Sequence, residues 1–246
     1  MNKTIQNAND KSDVSFVSIV SNCLSKFACI YADKFNVSNL LASVRFRLLD
    51  FESRCIQDSN LDEVYVALSY VSPAAHMGFF RLSTKHIDTM YTTGLVDNVL
   101  SELPQSISDG IDFVKALGEK YLWVDALCVI HDDQHEMSQC GRLMTSIYRG
   151  SYLTLVAASE PDASSGLSRR AYVSTHCQGP GQTQELNSYL PQSAYKKRGW
   201  SLGEIVLSRR IAVFVADRLF FSCQKSQRSI DTPLELPVFC LKSQDN

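Results

Sequence analysis

The sequence has no excess of charge of one sign and no paired-cysteine motif, and its first 13 residues are polar with both signs of charge, so we expect no secretion signal. Its 246 residues carry 24 Lys and Arg against 26 Asp and Glu, a formal net charge of -2. This balance gives no sign of the basic composition of nucleic-acid-binding proteins, so we expect no nucleic-acid partner. The eight cysteines are scattered and no C-x-x-C occurs, which favours reduced thiols in the cytoplasm over a disulfide scaffold.

Membrane and nucleotide motifs are also missing. Residues 14–32 are moderately apolar, but serines, an asparagine and a lysine interrupt them, so we expect no membrane span. Neither G-x-G-x-x-G nor G-x-x-x-x-G-K-[ST] occurs, which argues against a Rossmann dehydrogenase and a P-loop enzyme.

Three runs of apolar, β-prone residues indicate buried strands, because their apolarity is continuous rather than alternating. The runs are residues 64–71, 121–130 and 152–158. Helical spacing of apolar residues separates them, after Pro104 and again after the predicted cap Asp132-Asp133. This order predicts an α/β fold with a parallel-rich central sheet covered by helices.

The flanking regions carry weaker patterns. Apolar residues from Phe16 to Phe27 have helical spacing, which predicts an N-terminal helix that covers the core. The runs 211–215 and 219–223 alternate around a short turn and predict a C-terminal β-hairpin. The predicted parts are an N-terminal helical and linker segment, one domain and a C-terminal tail: residues 1–59, 60–224 and 225–246.

Polar residues at strand ends are the first candidates for a binding site, because ligands of open α/β sheets bind beyond the carboxyl ends of the strands. Ser69 and Tyr70 stand at such an end. Asp125 lies inside the second apolar run, where an ionised carboxylate needs a partner. It is either a buried, hydrogen-bonded brace or an acid that faces a ligand.

A cysteine and histidine cluster offers a weaker alternative. Cys128, His131, His135 and Cys140 interleave the two residue types, whereas zinc sites prefer paired ligands. The acidic neighbours of Cys128 disfavour a nucleophilic thiolate. We therefore predict no metal site and no cysteine nucleophile.

Trp200 and Glu204 form the last candidate pair. If this segment is helical, the two residues are four apart and share a face. An indole beside a carboxylate can hold a ribose or a cationic ring.

Four blocks in order along the chain resemble one family. They are residues 65–71, then 103–104 with 117–133, then 144–148 with 153–158 and 166–167, and finally 198–204 with 207–210 and the hairpin. Together they are similar to the HET (heterokaryon incompatibility) domain of filamentous fungi, over about residues 60–224.

The resemblance implies non-self recognition, programmed cell death and a TIR-like core. Some TIR domains cleave NAD with a glutamate four positions after a tryptophan, the spacing of Trp200 and Glu204. By this analogy Glu204 is catalytic and stabilises the positive charge that develops on the ribose. The strand-end candidates Ser69, Tyr70 and Asp125, together with Trp200, are then the residues expected to contact the substrate. NAD is then a substrate, and no cofactor is expected.

Three departures from the family pattern leave the mechanism open. Ser72-Pro73 replaces the usual Trp-Gly, His131 replaces a glutamine, and Gly203 replaces another glutamine before the glutamate. These replacements favour a self-associating signalling module that joins other HET or sensor proteins. The intact Trp200–Glu204 pair favours the alternative, an NAD-hydrolysing death effector.

Overall fold

A single mixed sheet organises the part of the chain that the structure describes. The computed structural model describes residues 45–59, 63–72, 78–158, 166–167, 189–193, 195, 201–215, 218–223 and 226–229, together with residues 17, 20, 21, 24 and 25. Within these residues the strands are β1 (Phe46–Asp50), β2 (Cys55–Ser59), β3 (Tyr65–Tyr70), β4 (Tyr121–Trp123), β5 (Leu153–Ala157), β6 (Arg210–Val215), β7 (Arg218–Cys223) and β8 (Ser226–Ser229).

Helices connect and cover these strands. The α-helices are α1 (Ile87–Met90), α2 (Gln105–Ala116), α3 (Asp125–Cys128), α4 (Gln134–Gly150) and α5 (Ser201–Leu207). Two 3₁₀ helices occupy Leu95–Glu102 and Leu190–Gln192.

The strand order is β2-β1-β4-β3-β5-β6-β7-β8. The four central strands β4, β3, β5 and β6 are parallel, and antiparallel pairs flank them on both sides. The fold is therefore α/β with a parallel centre, as the continuous apolar runs predicted. At the C-terminal side, β6 pairs antiparallel with β7, and Val215 lies opposite Arg218.

The helices α2 and α4 cover opposite faces of β3. Gly110 of α2 lies so close to Leu68 that an added Cβ would be 2.8 Å from Leu68 Cδ2. On the other face, the Tyr65 hydroxyl donates a hydrogen bond of 2.5 Å to the Ile147 carbonyl oxygen of α4. Because side chains alternate along a strand, burial of β3 on both faces follows from this pair of contacts.

Local signals fix the ends of the two long helices. The Asp133 side chain accepts hydrogen bonds from the backbone N–H groups of His135 and Glu136, so the predicted cap of α4 is confirmed. After α2, Gly118 has a φ of 78°, a left-handed conformation in which glycine carries no Cβ penalty.

The second predicted strand is shorter than expected. It ends at Trp123, and residues 125–128 form α3, so the prediction that Asp125 lies inside a strand was wrong. The Asp125 carboxylate accepts a hydrogen bond of 2.8 Å from the Ala126 N–H, and the Val124 carbonyl accepts from Leu127 and Cys128. Such local hydrogen bonds of an aspartate compete with strand pairing.

Both ends of the sheet extend beyond the predicted 60–224 domain. The strands β1 and β2 form an antiparallel pair within the segment predicted as helix and linker, and β1 continues the sheet by pairing with β4. The strand β8 falls in the predicted tail. Farther upstream, Val20 and Leu24 are helical and buried in the core, in agreement with a covering helix there.

Candidate active site

The order of the parallel strands defines where a ligand is expected. The first parallel strand, β3, lies between the second, β4, and the third, β5. The chain therefore places β4 on one side of β3 and later adds β5 on the other side. The connecting helices α2 and α4 lie on opposite faces of the sheet. Crevices in open α/β sheets form at such a reversal, beyond the carboxyl ends of the strands. Ser69 lies at this end of β3.

Glu204 of α5 reaches this point from far along the chain. Its side chain is only 7% exposed. Its Oε2 atom accepts a hydrogen bond from the Ser69 hydroxyl and another, of 2.9 Å, from the Tyr195 hydroxyl. The two hydroxyl oxygens lie 2.5 Å apart. Residues separated by 135 positions in the sequence thus form one compact polar cluster.

Further buried hydroxyl groups attach α5 to the sheet. The Ser208 hydroxyl is 2.5 Å from the Glu204 carbonyl oxygen and 2.7 Å from Thr154 Oγ1 of β5. Thr154 Oγ1 is in turn 2.9 Å from Ser151 Oγ. Because buried polar groups are costly when unpaired, this chain of hydrogen bonds fixes α5 at one position over β5.

The second carboxylate oxygen of Glu204 has no such partner among the described residues. None of them donates a hydrogen bond to Oε1, and no described lysine or arginine forms an ion pair with this carboxylate. Within this part of the chain, the donors that contact the carboxylate are neutral hydroxyl groups. A carboxylate in this setting can stabilise positive charge that develops on a ligand.

The structure separates the other predicted site residues. Tyr70 points to the face opposite Ser69, because consecutive residues of a strand alternate, and it is buried in the core. Asp125 is half-buried at the start of α3, and no described hydrogen bond or ion pair joins it to Glu204. Trp200 lies outside the described residues, so its predicted role stays a prediction.

The departures from the family pattern lie around the same edge of the sheet. Ser72 follows β3 and accepts a hydrogen bond of 3.0 Å from Arg81 Nη2. His131 Nε2 is 3.1 Å from the Asp125 carbonyl oxygen. Gly203 lies within α5, directly before Glu204, whereas Pro73 is outside the described residues.

Sequence analysis missed Tyr195, because it comes from a segment rich in Ser, Gly, Pro and Gln that has no periodic pattern. It also passed over the spacing Gly199-x-Ser201-x-Gly203, which matches the G-x-S-x-G of hydrolase nucleophile elbows. Ser201 begins α5, but no strand is described directly before it, and its side chain is outside the described part. The match therefore carries no argument for a serine nucleophile.

The thiol and metal alternatives have little structural basis. Burial raises the pKa of Cys128 to about 12, and burial together with the Asp125 and Glu136 charges raises that of Cys140 to about 12. Both groups are therefore protonated thiols near neutral pH. Among the described residues, no group of three His, Cys, Asp or Glu side chains is placed to hold a metal ion.

A second carboxylate, half-buried, lies toward the β1–β2 edge of the sheet. Arg47 of β1 is only 1% exposed and forms a two-pronged ion pair with Glu136 of α4, with N–O distances of 2.6 and 2.9 Å. Glu136 Oε1 also accepts from the Ile130 N–H at 2.6 Å. The Arg47 guanidinium further contacts the Tyr91 hydroxyl and the Cys128 carbonyl.

The charges of this second cluster reinforce one another. Burial alone would lower the pKa of Arg47, but the hydrogen bonds and the charge of Glu136 outweigh it and raise the pKa. The Arg47 guanidinium therefore stays charged, and the ion pair connects β1 to the N-terminal turn of α4.

Comparison with known proteins identifies the family. The sequence profile described as "Heterokaryon incompatibility protein (HET)" matches residues 65–204, more than half of the chain. The chain belongs to the HET family. The matched region of this HET protein begins at β3 and ends at Glu204, so it includes both Ser69 and the glutamate that Ser69 contacts.

Other comparisons add nothing to this assignment. A search of curated proteins and a search of solved structures each found no match for the HET protein. Within the residues described above, no helix combines the length and apolarity needed to cross a bilayer.

Proposed function

We propose that this HET protein acts in the cytoplasm of filamentous fungi, in non-self recognition and programmed cell death. We further propose that its domain hydrolyses NAD at the bond between nicotinamide and ribose, with Glu204 as the catalytic group. Family membership supports the first part. The placement of Glu204 supports the second.

One observation carries the enzymatic proposal. A carboxylate lies at the reversal point of a parallel sheet, two hydroxyl groups fix one of its oxygens, and no described cation neutralises it. The resemblance to TIR enzymes named the same residue on sequence spacing alone. The structure adds the buried hydroxyl partners Ser69 and Tyr195, which would hold the carboxylate rigid during the reaction.

The chemistry of the bond suits this simple site. Nicotinamide is attached to the ribose as a cation, so it leaves with the bonding electron pair as a neutral molecule and needs no proton donor. Positive charge then develops on the ribose, and the Glu204 carboxylate stabilises it, as carboxylates do in glycoside cleavage. Water adds to the ribose carbon and releases a proton, which gives ADP-ribose.

Nicotinamide release from NAD tests the proposal directly. The purified protein should release nicotinamide, and Glu204→Gln should abolish the release while keeping the side-chain shape. Glu52→Gln is the matched control, because Glu52 is an exposed glutamate paired with Lys120. The proposal fails if the wild-type protein releases no nicotinamide at any concentration, or if Glu204→Gln is as active as the control.

A second candidate function is a signalling module that self-associates or joins other HET or sensor proteins. Val206, two residues after Glu204 on the same helix, has 70% of its surface exposed. An apolar side chain on α5 provides a contact point for a second copy, and Ser72 and Gly203 in place of the usual residues favour a non-catalytic role.

Sedimentation of the wild-type protein and of Val206→Asp tests this second function. Wild-type protein that assembles with rising concentration, together with a monomeric Val206→Asp variant, supports self-association. A wild-type protein that stays monomeric contradicts it. Glu204→Gln should assemble like the wild-type protein, which separates association from catalysis.

A further inference from the structure

An open cleft of about 790 Å³ lies at the same edge of the sheet as Ser69. Its described lining is Gly78, Phe79, Phe80, Arg81, Ser83, His86, Ser101, Glu102, Leu103 and Pro104. Pro104 directly precedes α2. This helix follows β3 and precedes β4 along the chain, and because the two strands are parallel, it runs antiparallel to both. The cleft is therefore at the carboxyl end of the parallel strands, beside the N-terminus of α2.

Backbone hydrogen bonds fix the wall of this cleft. The Phe80 N–H donates to the Glu102 carbonyl at 3.1 Å. Leu82 is fully buried, and its N–H and carbonyl pair with Ala126 and His131 at 2.7 and 2.9 Å. The segment from Gly78 onward is thus attached on both sides, so the cleft is formed before any ligand arrives.

Arg81 is the only arginine or lysine in the described lining of this cleft. Its guanidinium carbon is 4.4 Å from the centroid of the Phe79 ring, and Nη2 donates to the Ser72 hydroxyl at 3.0 Å. These two contacts orient the guanidinium. Arginine has five N–H donors, and its described contacts use one of them, so the rest can bind a ligand.

The contact with Ser72 connects the cleft to the candidate active site. Ser72 is three residues beyond Ser69, so their Cα atoms are separated by at most about 11 Å. Ser69 in turn contacts the Glu204 carboxylate. A dinucleotide is long enough to extend from one place to the other.

We propose that the cleft binds the adenosine diphosphate half of NAD, with Arg81 paired to the diphosphate. A guanidinium matches phosphate oxygens through parallel hydrogen bonds, and Phe79 and Pro104 provide apolar surface for the adenine. The exposed Glu102 carboxylate is an acceptor for ribose hydroxyl groups and repels phosphate. The identity of the dinucleotide rests on the proposed function, whereas the phosphate-binding role of Arg81 rests on the cleft itself.

Titration of the 246-residue chain with ADP tests this inference without requiring catalysis. ADP should bind the wild-type protein and Glu204→Gln with the same affinity. Arg81→Gln should weaken ADP binding by about 10- to 100-fold, through the loss of charge-assisted hydrogen bonds. Arg142→Gln is the matched control, because Arg142 is exposed on α4 and does not line the cleft. Glu102→Gln should raise the affinity for ADP, because it removes a negative charge beside the diphosphate and keeps an amide oxygen that accepts hydrogen bonds from the ribose.

A comparison of two substrates adds a second test, which depends on activity. Arg81→Gln should raise the KM for NAD but not for nicotinamide riboside, which lacks the adenosine and both phosphates. ADP that fails to bind, or binds Arg81→Gln as tightly as the wild-type protein, overturns the assignment of the cleft. Absence of nicotinamide release together with ADP binding that depends on Arg81 overturns the proposed activity and leaves the phosphate site standing.

Discussion

Two glutamates beside the same sheet, the half-buried Glu136 and the buried Glu204, have surroundings that differ in kind. Glu136 of α4 faces the guanidinium of Arg47 and one backbone N–H, so a full positive charge opposes its carboxylate. Glu204 of α5 faces the hydroxyl groups of Ser69 and Tyr195, which carry no formal charge. Both carboxylates are fixed in position, but only Glu136 is neutralised among the described residues.

This difference separates a structural acid from one available for chemistry. A paired carboxylate and guanidinium bind each other, and neither is free to act on a ligand without breaking the pair. A carboxylate that only hydroxyl groups contact remains available to interact with a cationic ligand. Its burial without a cation lowers the stability of the fold. We therefore expect changes at Glu136 to affect folding and changes at Glu204 to affect activity.

The largest expected effect is on stability at the Arg47–Glu136 ion pair. Arg47→Met should lower the free energy of unfolding by about 3–5 kcal/mol, because it leaves the Glu136 carboxylate without its cation. Urea denaturation measures this change. Arg54→Met is the control: the Arg54–Asp97 pair is 57% and 39% exposed, and its loss should change stability by about 0–1 kcal/mol. Equal effects of the two changes would contradict the comparison.

The next largest effect is on activity at the Glu204 cluster. Glu204→Gln should slow nicotinamide release by about 100- to 1000-fold, because a neutral amide cannot stabilise the cationic ribose. Its free energy of unfolding should change by no more than about 1 kcal/mol, since the amide oxygen still accepts hydrogen bonds from both hydroxyl groups. Glu136→Gln, the matched change, should instead destabilise the fold by about 3 kcal/mol. A reversed pattern would show that Glu204 is the brace.

A smaller effect is expected for the hydroxyl groups that fix Glu204. Tyr195→Phe and Ser69→Ala should each slow nicotinamide release by about tenfold, through loss of one hydrogen bond that orients the carboxylate. The decrease should be in kcat rather than in KM. Ser193→Ala serves as control, because the Ser193 hydroxyl caps the neighbouring 3₁₀ helix without contacting Glu204. Wild-type kcat in both variants would refute the positioning role.

The smallest expected effect concerns two cysteines near Arg47, which should react very slowly with a thiol reagent. Between about pH 7 and pH 9, Cys128 and Cys140 should remain almost unmodified by iodoacetamide, because burial raises the pKa of both thiols to about 12 and keeps thiolate scarce. Arg47→Met should increase labelling as local opening becomes more frequent. Peptide mass spectrometry measures the labelled fraction of each cysteine. The unfolded protein serves as the reference for complete labelling. Rapid labelling of the folded wild-type protein would contradict the packing of this cluster.

The sequence predicted the centre of the sheet better than its edges. Strands β3 and β5 are continuous apolar runs, a signal that does not depend on distant partners. The strand β1 was missed because Arg47 and Asp50 resemble surface residues, although Arg47 is buried against a glutamate 89 positions away. Such long-range pairing leaves no periodic pattern in the local sequence.

The candidate site could be predicted from the sequence only in part, because its residues also come from distant segments of the chain. The resemblance named Glu204 and Ser69, and their contact confirms that these distant segments meet. Asp125 was misplaced because its carboxylate bonds the next backbone N–H and ends the strand. Tyr195 lies in a segment without periodicity, so only the folded structure shows that its hydroxyl reaches Glu204.

The attachment of β1 to the rest of the sheet bears on how this protein can be shortened. A fragment trimmed to residues 65–204 would lose Arg47 and the whole β1–β2 hairpin. One side of β4 would then present bare N–H and C=O groups, a template for pairing with other copies. Studies of the isolated domain should therefore start upstream of residue 46, or aggregation will be mistaken for biological self-assembly.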